Sequence, residues 1–425
     1  MNNRAIVLGP THKRNSLPIW ILGFLFSPIA AAIFALLRRN EYEAKVITCL
    51  FVGLFGFIMS TDDQGMDLYR YLLSLRNFSG VNNNIATVFE NLYSSGSSST
   101  SDLYVPLLTA IVGFFTDNSH FLMLVFGLGF GLFYAKTIAL LPRPKTETWI
   151  SFGLLFLFIN VFGIQGLAGV RFYTAFYVFI FGAISYINTA KRIYLLALTG
   201  ACLIHFSYIF AILLFIVFHF LKNRPRIIFM MAVVSFSLSF TSFSNLISQY
   251  SSIFGSSIEA KAQTYSTEND LYVDSIQERS EAYVWYVGER NKVAYGVIVA
   301  SLALLYVMRK KIRINALTLQ YLLLAMVFLT FRNIVIDVPD LGIRFSNIFM
   351  AIFYFFLYHF FLQNRSMQFA RLLTCLNIAG GILVILYSIR CIFYYVSLTD
   401  IIMPGYIATI WTNSLLSKEI FSDMI

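Results

Sequence analysis

Charge is scarce in this chain. Only 12% of its 425 residues are Asp, Glu, Lys or Arg, whereas 58% are hydrophobic and 17% aromatic. Soluble domains carry about 25% charged residues, so this composition excludes an ordinary soluble fold and leaves a membrane protein. Cysteine is sparse too. Cys49, Cys202, Cys375 and Cys391 all lie in apolar segments without metal-ligand spacing. They read as small packing residues, not as a disulfide framework or a zinc site. No Walker sequence, zinc-protease pattern or glycine-serine nucleophile elbow is present, which removes support for ATP-driven transport and standard hydrolase chemistry. The net charge of +10 does not indicate nucleic acid, because the basic residues fall in short clusters between apolar runs and not along one polar face.

What the chain has in abundance is long apolar runs, and they predict an all-α polytopic integral membrane protein, one helical domain over residues 1–425. Six basic clusters read as cytoplasmic loops: Arg38, Arg39 and Lys45; Arg143 and Lys145; Lys191 and Arg192; Lys222, Arg224 and Arg226; Arg309 to Arg313; Arg365 and Arg371. Placing them on one side gives about twelve transmembrane helices with both termini outside. Lys13 and Arg14 argue the other way for the N-terminus, but six later clusters outweigh them. The first apolar run, ending in Ala30, Ala31 and Ala32, has the outline of a signal peptide, yet its length and the following Arg38-Arg39 pair favour an uncleaved anchor. Two stretches break the regular count. Leu103 to Thr116 is too short for a span and is expected to be re-entrant. Ile193 to Leu221, too long for one span and tight for two, predicts a hairpin of short helices turning near His205.

This arrangement sends two polar stretches outward: 61–102, a first loop with interfacial helices, and 244–292, a long loop too small to fold as a domain of its own. It also places Arg171, Arg332 and Arg344 at the outer ends of apolar runs. A cation near lipid depth costs roughly 2.5–3.5 kcal/mol, so arginines there usually face a cavity or an anion. Gly163, Gly166 and Gly169, just before Arg171, would weaken a helix and let the backbone bend. By contrast Gly127, Gly129 and Gly131 imitate a nucleotide loop but lie within a span, where close helix packing is the natural reading.

Asp67-Leu68-Tyr69-Arg70-Tyr71 after the second span, Arg171 with Ala175, His205-Phe206-Ser207 and Arg344 follow one another in a characteristic order and spacing. In this the chain, over about residues 20–400, resembles the EpsG-like group of Wzy-type bacterial polysaccharide polymerases. The resemblance implies a metal-independent, cofactor-free glycosyltransferase with a GT-C-like architecture shared with the O-antigen ligases. It implies residence in the bacterial cytoplasmic membrane, with the active site facing outward. Donor and acceptor would be polyprenyl (undecaprenyl) diphosphate-linked oligosaccharides, with a chain-length regulator as a further membrane partner. Phe172 stands where many relatives carry glutamine, and the 244–292 loop has no matching pattern, which leaves the sugar open.

The chemistry can also be argued from the residues. Departure of a lipid diphosphate builds negative charge, which the forked donors of Arg171, Arg332 and Arg344 suit. The acceptor hydroxyl needs a base: His205 first, Asp67 second, with Asp337 and Asp340 as further candidates. Tyr69 and Arg70 are placed to position sugar or phosphate. Each has a plainer reading. An arginine at a span end can snorkel to the interface, His205 can bridge two helices, and the Asp67–Tyr71 segment can be an interfacial helix alone. An O-antigen ligase-type transferase and a flippase for lipid-linked glycans are the alternative functions. A flippase would spread cations through its cavity and show repeat-related halves.

Overall fold

The computed structural model describes residues 16–59, 67–79, 102–144, 146–239 and 285–396, and among them every regular element is helical. The helices are α1 (Leu17–Phe26), α2 (Pro28–Leu37), α3 (Tyr42–Ile58), α4 (Asp67–Ser79), α5 (Tyr104–Gly113), α6 (Ser119–Ile138) and α7 (Trp149–Val161). A 3-10 turn, Ile164–Gly169, leads into α8 (Val170–Thr189), α9 (Ile193–Ile204), α10 (Tyr208–Leu221) and α11 (Pro225–Leu238). The chain closes with α12 (Trp285–Val307), α13 (Ala316–Ile334), α14 (Pro339–Gln363), α15 (Gln368–Gly380) and α16 (Ile382–Tyr395).

Local chemistry sets the boundaries. Ser27 accepts a hydrogen bond from the Ala30 amide and Pro28 opens α2, which splits the first apolar run into two ten-residue helices. That run was expected to be one span. Thr148 and Ser151 form a reciprocal capping box on α7, and Asn315 caps α13 by accepting from the Thr318 amide at 2.7 Å. Ala190 ends α8 in the left-handed region, φ 57°.

Five helical stretches among the described residues are long and apolar enough to cross a membrane: 119–138, 149–189, 285–307, 316–334 and 341–363. The pair α15–α16, bent by 40°, makes a sixth if counted as one span. The 149–189 stretch is not a straight rod. Glu147, just before α7, pairs with Arg39 at 3.1 Å, and Arg39 also donates to Tyr358 near the end of α14. At the other limit of the stretch, Asn188 accepts from Tyr321, and Thr318, one turn earlier on α13, accepts from Gln363 at the end of α14. Both limits therefore lie at one end of the bundle, and α7 and α8 are two limbs joined by the 3-10 turn.

The same end gathers the basic loops. Arg39 donates to the Pro142 carbonyl, Arg365 to the Thr146 carbonyl, and Asn364 to the Arg313 carbonyl. Other elements stop short. At 1.5 Å per residue α5 is about 15 Å long and α9 about 18 Å, less than the ~30 Å of bilayer hydrocarbon. The α9–α10 turn at His205 and the start of α5 meet in the interior, where the Leu103 amide donates to the Leu203 carbonyl. The loop expected at 244–292 ends earlier than its charge suggested. Its part up to 284 lies outside the described residues, and 285–292 are already helix, Lys292 pairing with Glu289 one turn back.

α3 and α6 pack backbone to backbone through small residues. A Cβ on Gly56 would stand 2.3 Å from the Met123 carbonyl oxygen, and one on Gly127 would stand 2.6 Å from the Val52 carbonyl oxygen. Gly127 and Gly131 of FGLGFGLF thus serve this helix seam, while Gly129 makes room for the Tyr104 side chain of α5. Gly56→Ala is expected to destabilise the protein by about 1–3 kcal/mol, since the obstructing atom is backbone. Gly296→Ala, where no described residue outside the helix's own backbone lies within 4 Å of the added Cβ, is expected to be neutral or stabilising by up to about 1 kcal/mol. Thermal unfolding of both variants in detergent would check this, and equal melting temperatures would remove the account.

Candidate functional site

Asp102 is the centre of a polar cluster held between four helices. Its side chain is only 4% exposed. Oδ2 accepts from His205 Nδ1 at 2.8 Å and from Arg171 Nη1 at 3.1 Å, and Oδ1 accepts from the Phe206 amide at 2.8 Å. The local fold explains the convergence. α9 ends at Ile204, so the Phe206 amide in the following turn is not consumed by a helix ladder, and Arg171 stands in the first turn of α8.

The ionisation states follow from these contacts. Burial works to raise the Asp102 carboxyl, but the His205 hydrogen bond and charge, the Phe206 amide and the Arg171 guanidinium together hold it below the usual carboxylate value. Burial dominates for His205 and pushes its imidazole below its ordinary value; the Asp102 contact opposes this, while the charges of Arg344 and Arg171 reinforce it. Burial keeps the imidazole neutral, and the ionised carboxylate rests on Arg171 and the two hydrogen bonds. Nδ1–H then donates to Asp102, and Nε2 keeps its lone pair. Nε2 is buried and has no hydrogen-bond partner among the described residues.

His205, Arg171 and Arg344 line one cavity of about 250 Å³, together with Phe162, Tyr173 and Asn347. Arg344 enters from the second turn of α14. Its guanidinium lies 5.1 Å from the Phe172 ring centroid, and among the described residues no carboxylate is within ion-pair distance of it. Arg171 has a second anchor, donating from Nε to the Tyr71 hydroxyl at 3.0 Å. The preceding glycines make room for an aromatic: a Cβ on Gly166 would stand 2.8 Å from the Tyr173 ring, and one on Gly169 would stand 3.0 Å from it.

The other sequence candidates fall elsewhere. Arg332 does not line the cavity. It donates to Ser346 and Asn333 at 3.0 Å each and stacks on Tyr295, while Asn333 reaches Ser235, so the group ties α11, α12, α13 and α14 together. In α4, Leu68, Tyr71 and Leu75 are buried at helical spacing, whereas Tyr69 is half-buried and Arg70 exposed. The residue of that motif that touches Arg171 is therefore Tyr71. The Asp67 and Asp340 side chains lie outside the described residues, and Asp337 is partly buried near the start of α14. Asp102 was not singled out in the sequence. Its one signal was an acid standing directly before an apolar helix, at the end of a serine-rich stretch.

In detergent-solubilised protein with labelled histidine, the His205 imidazole is expected to titrate below about 6.5, the ordinary value. Arg344→Gln removes a repelling cation, which makes protonation easier, so the midpoint should rise. A wild-type midpoint above 6.5, or one unmoved by the substitution, would overturn the charge assignment. No family model, curated protein or solved structure matches the chain, so its functional reading rests on the residues and geometry described above.

Proposed function

We propose that the protein is a Wzy-type polysaccharide polymerase, a glycosyltransferase that joins polyprenyl-diphosphate-linked oligosaccharides at the outer face of a bacterial cytoplasmic membrane. One observation carries the reading: an imidazole whose Nε2 has no partner and a guanidinium that has no acidic partner among the described residues share a cavity wall. Along α8 and α14 the arginines of that cavity lie about 28 Å from the end that holds the basic loops, and along α9 His205 lies about 18 Å from Arg192. With those loops cytoplasmic, the cavity lies in the outer half of the membrane. The twelve-span, GT-C-like arrangement belongs to this proposal.

The acceptor hydroxyl oxygen bonds to the anomeric carbon of the donor glycan while the bond from that carbon to the diphosphate oxygen breaks. The hydroxyl proton passes to His205 Nε2, and the leaving diphosphate takes the electron pair. Its added negative charge is met by Arg344 and Arg171. Asp102 holds the imidazole in the accepting tautomer and stabilises it once protonated. Two neighbouring guanidinium groups would otherwise oppose that protonation.

The test is reconstitution of the purified protein with a lipid-diphosphate-linked repeat unit, followed by glycan length analysis. Wild-type protein should lengthen the glycans. His205→Ala should slow this by about 10²–10⁴-fold, and Arg344→Ala by about 10²–10³-fold. Arg344→Lys should recover little, because an ammonium lacks the planar fork. Undiminished lengthening in His205→Ala and Arg344→Ala would remove the site. Transfer to a finished lipid core without lengthening would make the protein a ligase, and movement of lipid between leaflets without any transfer would make it a flippase.

A further inference from the structure

A second cavity of about 310 Å³ adjoins the first, and Gly169, Tyr173, Ile343 and Asn347 line both. Its composition differs from that of its neighbour. Amides line it, from Asn160, Gln165, Asn291 and Asn347, alongside the phenol rings of Tyr173 and Tyr387. Flat rings with amide donors and acceptors are the surface that sugars fit, since a pyranose has apolar faces and a rim of hydroxyls. Two polar atoms here are buried without hydrogen-bond partners among the described residues, Gln165 Oε1 and Arg290 Nη1.

Arg290 gives the cavity its charge. The guanidinium lies 3.2 Å from the Tyr387 ring centroid, which fixes its plane. Glu289, its neighbour in sequence, is occupied by Lys292 at 2.8 Å, and among the described residues no carboxylate pairs with Arg290. A half-buried guanidinium whose Nη1 is buried without a partner among the described residues calls for an anionic ligand group.

We propose that this second cavity is a subsite for an acidic sugar residue, whose carboxylate is taken by Arg290 and whose hydroxyls are taken by the surrounding amides. The assignment of a saccharide rests on the polymerase reading. The cavity would then hold a residue of the repeat unit next to the position where His205 and Arg344 act, and would select glycans that carry a uronic acid there.

Binding to the purified full-length protein tests this without any need for turnover. The probes are glucuronate- and galacturonate-containing tetrasaccharides, their carboxyl-reduced neutral forms, and inorganic pyrophosphate. At least one acidic probe should bind about tenfold or more tighter than its neutral form, in line with a hydrogen-bonded charge pair. Arg290→Gln should reduce that ratio to less than about twofold. Asn291→Asp, which sets a competing carboxylate beside Arg290, should weaken acidic probes and spare neutral ones. Equal binding of acidic and neutral forms by wild-type protein, or a ratio that survives Arg290→Gln, would overturn the proposal. So would pyrophosphate binding that matches the acidic saccharides and disappears in Arg290→Gln, because the cavity would then be a phosphate site. Discrimination by protein that fails to lengthen glycans would retire the polymerase and keep the subsite. Lengthening without discrimination would do the reverse.

Discussion

The Asp102 carboxylate is the constraint on which the site depends. It lies ahead of α5, yet it holds the α9–α10 turn through His205 and Phe206 and the start of α8 through Arg171. Neutralising one member of such a cluster leaves another charge buried and unmatched, which costs several kcal/mol where removing a solvated pair costs little. The cluster therefore works as one unit. It fixes which imidazole nitrogen carries the proton, and it keeps one guanidinium at a set distance from that ring.

That unit can exist only because several helices stop partway. Helices crossing the whole bilayer present apolar side chains in its interior and spend their backbone groups on their own ladder. Here α9 ends after twelve residues and α7 after thirteen. Their ends supply a free amide at Phe206 and a carbonyl at Phe162 that accepts from Tyr177, and they leave space between them. The short apolar helices thus create polar depth inside an otherwise greasy bundle.

Much of this was legible in the sequence. Composition alone points to apolar helices able to cross a membrane, and the length of the Ile193–Leu221 run forces a turn where His205 stands. In α4 the residues expected to act, Tyr69 and Arg70, lie off the buried face that Leu68, Tyr71 and Leu75 form. Three things were hidden. Asp102 sits far from its partners in sequence, and no local spacing announces a contact across a hundred residues. Arg332 looks like Arg171 and Arg344 in the chain, and only packing shows that Ser346, Asn333 and Tyr295 occupy it. The start of α12 was obscured because Glu289, Arg290 and Lys292 make its first turns look like loop.

Arginine in this protein takes its role from its partners and not from its depth. Arg39, 2% exposed, is surrounded by the Leu141 and Pro142 carbonyls, the Glu147 carboxylate and the Tyr358 hydroxyl, which leave it nothing to offer a ligand. It holds the basic end of the bundle together. Arg344 and Arg290 are set against aromatic faces, which orient a guanidinium without neutralising it. An aromatic face can hold the cation in place while leaving its charge to act on an anion that arrives later. Arg39, closed by an acid and carbonyls, braces the basic end of the bundle, whereas Arg344 and Arg290 line the two adjoining cavities.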